Sequence, residues 1–135
     1  MRLKYLSVVA AGMLCGAGVP AVAHHSFAAE FDINRPIKLT GVVTRMEFSN
    51  PHSWLHIDVT TATGEKQAWK VEGGAPNALM RHGWNRNSVP AGITVNVEGF
   101  QAKDRSFRAN GREITLPDGS SLFMGSSGAG AGAPE

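Results

Sequence analysis

From Asn50 to Thr60 the chain alternates without interruption. Ser53, Leu55, Ile57 and Val59 fall on one parity, and His52, Trp54, His56 and Asp58 on the other. Successive side chains of a strand point to opposite faces, so the pattern predicts a strand over 53–61 with an apolar inner face and a polar, aromatic outer one. Around it the same period recurs less cleanly. Leu39, Val42, Val43, Met46 and Phe48 predict a first strand over 37–48, with Gly41 as its bulge or bend. Trp69 and Val71 share one side of a third strand over 66–72, entered through a tight turn at 62–65. Ile93, Val95 and Val97 alternate with Thr94, Asn96 and Glu98 in a fourth. A last strand covers 107–116, or two short ones around Asn110-Gly111, a hairpin signal in its own right.

One stretch breaks the period of two. After Gly73-Gly74, Pro76 stands near a first helical turn, Arg81 and His82 come late, and Gly83 follows the end. This predicts a short helix whose Leu79 and Met80, with Trp84, cover the sheet. The element order is then β-β-β-α-β-β. That order belongs to the five-stranded Greek-key barrel known as the oligonucleotide/oligosaccharide-binding (OB) fold. The expected class is therefore all-β with one short helix, closed as an OB-like barrel. Barrels of this kind host unrelated activities, so the order by itself carries no function.

The two ends follow other rules. Met-Arg-Leu-Lys precedes an apolar run from Tyr5 to Val22, closed by Ala21-Val22-Ala23, the small-x-small pattern of a secretory signal cleaved after residue 23. The run is interrupted by glycines and meets His24-His25-Ser26 at once, which argues against a retained anchor. Residues 24–36 form a lead with Phe27 and Phe31 four apart, and Pro36 keeps its predecessor out of the helical region. Residues 37–124 form the barrel domain. Residues 125–135, rich in Ser, Gly and Ala, are too small and polar to bury anything and are expected to be disordered. The expected location is periplasmic or secreted, with no membrane contact after cleavage.

Cleavage changes the charge. The whole chain carries 13 Lys+Arg and 11 Asp+Glu, a net of +2. Arg2 and Lys4 leave with the signal, so 11 basic residues then face 11 acidic ones. A neutral chain is a poor partner for nucleic acid, whose binding rests on several phosphate-neutralising cations. The expected partner is a small ligand or a periplasmic protein. The single Cys15 also departs with the signal, and Leu14 before it does not make a lipid-anchor site. Disulfides and thiolate metal sites are thereby excluded from the mature chain.

Candidate chemistry sits in two places. Cleavage after Ala23 would expose His24 as a free terminus, offering its amine and ring nitrogen to one metal ion, while His25 in second position offers amine, backbone amide and imidazole together. Nitrogen-rich sets of this kind favour copper(II). His52 or His56 could complete a brace-like site, giving His24, His25 and His56 as a candidate metal set, with Asp58 or Glu30 orienting the rings. The plainer reading makes His24 and His25 a mobile terminus. His52 and His56 keep one face of a strand but stand about 13 Å apart at about 3.3 Å per residue, too far for two ligands of one ion without a bulge. Their plain reading has His52 capping the Asn50-Pro51 turn and His56 packing on Trp54 or Trp69. His82, near a helix C-terminus, is favourable with the dipole.

The second candidate is the outer stripe itself. His52, Trp54, His56, Asp58 and Trp69 are read as a ligand-binding set, with Trp54 and Trp69 on neighbouring strands as a stacking platform for a sugar or other planar ligand. Half-buried packing is the plainer role for both indoles. Asp32, Glu47, Asp58 and Glu72 are scattered and read as solvated. No catalytic triad, phosphate loop or paired-carboxylate spacing stands out, so nothing commits to an enzyme.

The run His24-His-Ser-Phe-Ala-Ala-Glu-Phe-Asp32, with Asn50-Pro-His52, Trp69 and Leu79-Met-Arg-His-Gly-Trp84, resembles an uncharacterised family of small exported bacterial proteins, the domain of unknown function 6152. The resemblance implies a secreted single domain and carries no catalytic assignment. Members of that family often have Asp-Gly where this chain has Asp104-Arg105. The expected function is an exported OB-like binding module of unknown ligand, with copper at the new terminus as a candidate cofactor. The alternative is a copper-dependent redox enzyme with a histidine-brace-like site.

Overall fold

The computed structural model describes residues 27–125. Residues 1–26, which include the expected signal segment and His24 and His25, and residues 126–135 lie outside that range. The elements are α1 (Phe27–Glu30), β1 (Phe31–Glu47), β2 (Trp54–Thr60), β3 (Lys66–Glu72), α2 (Pro76–Arg81), β4 (Thr94–Ala102), β5 (Arg108–Thr115) and β6 (Ser121–Phe123). Among the described residues no helix is long and apolar enough to cross a membrane.

The sheet order is β3-β2-β1-β4-β5-β6, and β3 also pairs with β5, so five of the six strands close into a ring. Every pairing is antiparallel except the closing one, in which Lys70, Val71 and Glu72 run parallel to Arg108, Ala109 and Asn110. The inner face carries the parity read from the sequence. Leu55, Ile57, Val71, Val97 and Ile114 are fully buried inside, with Trp69, Leu79 from α2 and Met124 after β6. Burying each aliphatic side chain of this size contributes roughly 1.5–3 kcal/mol, which is why the alternation dictates which side of each strand faces in.

Four details differ from the sequence expectation, each for a local reason. β1 begins at Phe31 and not at Ile37, because residues 31 and 36 already pair with Ala102 and Phe100, and residues 32–35 bulge out between those two contacts. The register break in β1 lies between Val43 and Arg45 and not at Gly41. Gly41 instead allows a close approach, since a Cβ there would come within 2.9 Å of the Asp58 carbonyl oxygen. Asn110-Gly111 makes no hairpin and runs inside β5, where the register against β4 shifts at Gly99. The hairpin forms later, over 116–120, and adds β6, too short to show a pattern. Met80 does not cover the sheet and stays 43% exposed, while Leu79 and Trp84 are buried.

Two turns share one construction. In Asp104-Arg105-Ser106 and in Asp118-Gly119-Ser120 the aspartate Oδ1 accepts both the backbone N–H and the hydroxyl of the serine. Those bonds hold both carboxyls below their ordinary range. The middle residue of each turn has positive φ, 84° at Gly119 and 64° at Arg105. Only the second pays the Cβ penalty of that region. Arg105→Gly is expected to be neutral to stabilising, by up to about 1 kcal/mol, whereas Arg105→Val should cost about 1–2 kcal/mol. Urea unfolding of both variants checks this. A glycine variant more than about 1 kcal/mol less stable would contradict the strain argument.

Candidate functional site

The outer face of the ring carries two rows that run across the strands. Register places Arg45, His56, Lys70 and Arg108 side by side on β1, β2, β3 and β5. The next row on that face holds Glu47, Trp54, Glu72 and Asn110. At about 4.8 Å between strands each row spans about 14 Å. Basic side chains thus lie beside an acidic and aromatic row, and the contacts between rows are specific. Nε2 of His56 donates to Glu47 Oε2 at 3.1 Å, and Arg45 bridges to Oε1 of the same carboxylate at 2.9 Å. The hydrogen bond from His56, opposed in part by desolvation and helped by the charge of Arg45, holds the Glu47 carboxyl below its ordinary value. The ammonium of Lys70 rests over the Trp54 ring, 4.2 Å from its centre.

The lead supplies a further wall. Phe27 packs edge-on against Phe100 at 5.5 Å and tilted against Phe31 at 5.8 Å, and the Arg108 guanidinium lies 5.6 Å over Phe31. Phe31 is buried yet lies outside the core cluster inside the ring. The N–H of Lys103 donates to the Glu30 carbonyl at 2.9 Å, and its ammonium donates to the Ala28 carbonyl. Docked this way, α1 brings Glu30 onto Arg108, whose guanidinium donates to the Glu30 carboxylate.

A cleft of about 330 Å³ opens between these parts. Trp54, Lys70 and Glu72 line it from the sheet, Glu30 and Arg108 from one side, and residues 49–52 of the β1–β2 loop from the other. The Asn50-Pro51 bond in that loop is cis, and the Ser49 hydroxyl donates to the His52 carbonyl. Glu72 is only 4% exposed, and its Oε1 lies 3.5 Å from His52 Nδ1. A second hollow of about 220 Å³ shares Glu30 and Arg108 as a wall.

Of the residues singled out from the sequence, His52 and Trp54 therefore meet in the cleft. His56 lies one row away, engaged with Glu47, and Asp58 is exposed further along β2 opposite Ala68. Neither lines the cleft. Trp69 forms no platform with Trp54. It pairs with Ile57 on the inner face, is 6% exposed, stacks on Phe107 at 5.4 Å and donates its indole N–H to Gln67. Glu47 and Glu72 are not simply solvated, since one is bonded to His56 and the other is buried beside His52. His82 caps α2 as expected, with its ring 5.0 Å from Phe123.

Among the described residues no three His, Cys, Asp or Glu side chains converge to hold a metal ion. His56 is also a poor third ligand for its own reason. Nε2 is committed to Glu47, and the Arg45 guanidinium 3.4 Å from it repels a second cation. The alternation missed Lys70, Glu72 and Arg108. For the first two a signal was present. A tight turn centred on residue 63 pairs positions that sum to an even number, so even-numbered residues of β3 share the outer face with even-numbered residues of β2.

A small ring-forming β domain with a charged cleft on its outer face, floored in part by an indole, is the class these features define. The chain belongs to the family of unknown function DUF6152, whose model matches residues 11–111, a span that contains every cleft residue. No curated protein and no solved structure matches it.

Proposed function

We propose that this chain is an exported binding module, periplasmic or secreted, which holds a small ligand in the 330 Å³ cleft on the outside of an OB-like barrel. The observation that carries the reading is where the cleft lies. It crosses β2 and β3 between the β1–β2 loop and the start of β5, and OB barrels take their ligands on the β2–β3 face between the loops joining strands 1–2 and 4–5. The strand order, the parallel β3–β5 closure and the helix between β3 and β4 support the same assignment. Convergent polar groups around an aromatic floor are what a small-ligand site needs.

A copper-dependent redox enzyme is the second reading, and one observation favours keeping it. Glu30 and His52 line the same cleft, and the five residues back to His25 span at most about 18 Å. In that reading His52, and not His56, is the third imidazole. One experiment addresses both. Amide and side-chain NMR shifts are followed on protein with a verified terminus, first with pooled polar small molecules and then with copper(II). The binding reading expects shifts centred on His52, Trp54, Lys70 and Arg108; shifts only elsewhere would remove it. Tight copper broadening that includes His52 but spares His56 would place a metal site there. Oxygen- or peroxide-driven turnover by that copper would favour the enzyme, whereas a bound but inert copper supports the binding module.

A further inference from the structure

Resting on the cleft being the binding site, we infer that it seats an oxyanion, a carboxylate or phosphate carried on a small hydroxylated ring, between Lys70 and Arg108. Three observations carry this. Lys70 and Arg108 are register partners on adjacent parallel strands and both line the cleft, so their charges address one region. Among the described residues the Nε–H of Arg108 is buried without a hydrogen-bond partner, although the other end of the guanidinium is held by Glu30. A donor left unmet is an unusual cost in a folded protein, and a small turn of the Arg108 side chain on seating would bring this covered N–H to a ligand oxygen and remove it. Finally, the ammonium of Lys70 rests on an indole face, a contact weaker than a desolvated ion pair and easily exchanged for an anion.

The rest of the cleft limits the body that carries the oxyanion. Glu30 and Glu72 repel a bare polyanion but accept hydrogen bonds from hydroxyl groups, and the loop side adds Ser49 and Asn50. Moving Lys70 onto the oxyanion uncovers the Trp54 ring for a flat face. The ligand is therefore a ring with one acidic group at the Lys70–Arg108 side and donors toward Glu72. Seating also removes a cation from the half-buried Trp54, while Trp69 and Trp84 stay buried, so binding reports itself in tryptophan emission.

The test titrates the full chain with galacturonate, galactose 6-phosphate, galactose and inorganic phosphate, reading emission and calorimetry. One or both sugar acids are expected to bind, about ten- to hundredfold more tightly than galactose, as a charge-assisted bond predicts. Which acid binds distinguishes carboxylate from phosphate. Lys70→Met should abolish that preference and the emission change. Arg108→Gln should abolish the preference as well, but Lys70→Met decides the matter because Arg108 also anchors Glu30. Arg45→Gln, in the same basic row but outside the cleft, should leave affinity within about twofold, separating a seat from general attraction. Galactose binding as tightly as the acids, with cleft shifts and no response to Lys70→Met, overturns the oxyanion seat and leaves the cleft reading intact. Inorganic phosphate matching both sugar acids overturns the ring. Failure of every acid at millimolar concentration also overturns the inference, and the pooled NMR screen then judges the cleft independently.

Discussion

Phe31→Ala should lower the free energy of unfolding by about 3–5 kcal/mol, a loss usual for a core phenylalanine, although Phe31 lies outside the ring interior. The residue is 2% exposed, covered by Phe27 on one side and by the Arg108 guanidinium on another, and it opens β1 opposite Ala102. Truncation removes the apolar body on which α1 rests and leaves a void that β4 and β5, held by their ladder, cannot fill. The cleft should suffer in step, because Glu30 precedes Phe31 and reaches Arg108 only while the lead stays docked. Denaturant midpoints measure the first effect, and NMR shifts at Arg108 and Trp54 the second. A loss under about 1 kcal/mol would mean that the lead is not a structural part of the domain.

Gly99→Ala is expected to be at least as severe locally. A Cβ at Gly99 would lie 2.0 Å from the Asn110 carbonyl oxygen, and that oxygen belongs to a backbone held on both sides. Asn110 pairs with Phe100 on β4 and with Glu72 on β3, so it cannot retreat without loosening the antiparallel ladder or the parallel closure. Ordinary overpacking costs about 1–3 kcal/mol, and a backbone clash of this depth should exceed the upper end. For a domain of this size that lowers the melting temperature by at least about 12 °C. A drop under about 4 °C would show that the register shift at Gly99 can be rebuilt at little cost.

The two faces of β2 were legible in the residues themselves because burying Leu55, Ile57 and Val59 requires their neighbours to point outward. Element order was legible for a similar reason: Gly-Gly, the late basic residues and Gly83 interrupt the period of two where α2 lies. The rows across the strands were not legible. They depend on the register break between Val43 and Arg45 and on the β3–β5 pairing, neither of which leaves a local trace. Trp69 shows the difference well. Its residue type suggested a platform, but its odd number placed it inside, and the turn before it already contained that parity. Arg108 offered no such signal, because its position beside Lys70 is set by strands far apart in the chain.

The closing pair also bears on the order in which the domain comes together. Lys70 and Arg108 lie on opposite sides of α2 and the whole of β4, so a folding chain can build the β1–β2–β3 meander from local contacts before Arg108 arrives. Loop-closure entropy is charged against the last, parallel contact, the kind of long-range pairing that slows folding. Its arrival sets Arg108 and Asn110 beside Lys70 and Glu72 and gives Glu30 its guanidinium. A folding chain therefore acquires the means to hold a ligand at the end of the process, and early intermediates should be blind to it.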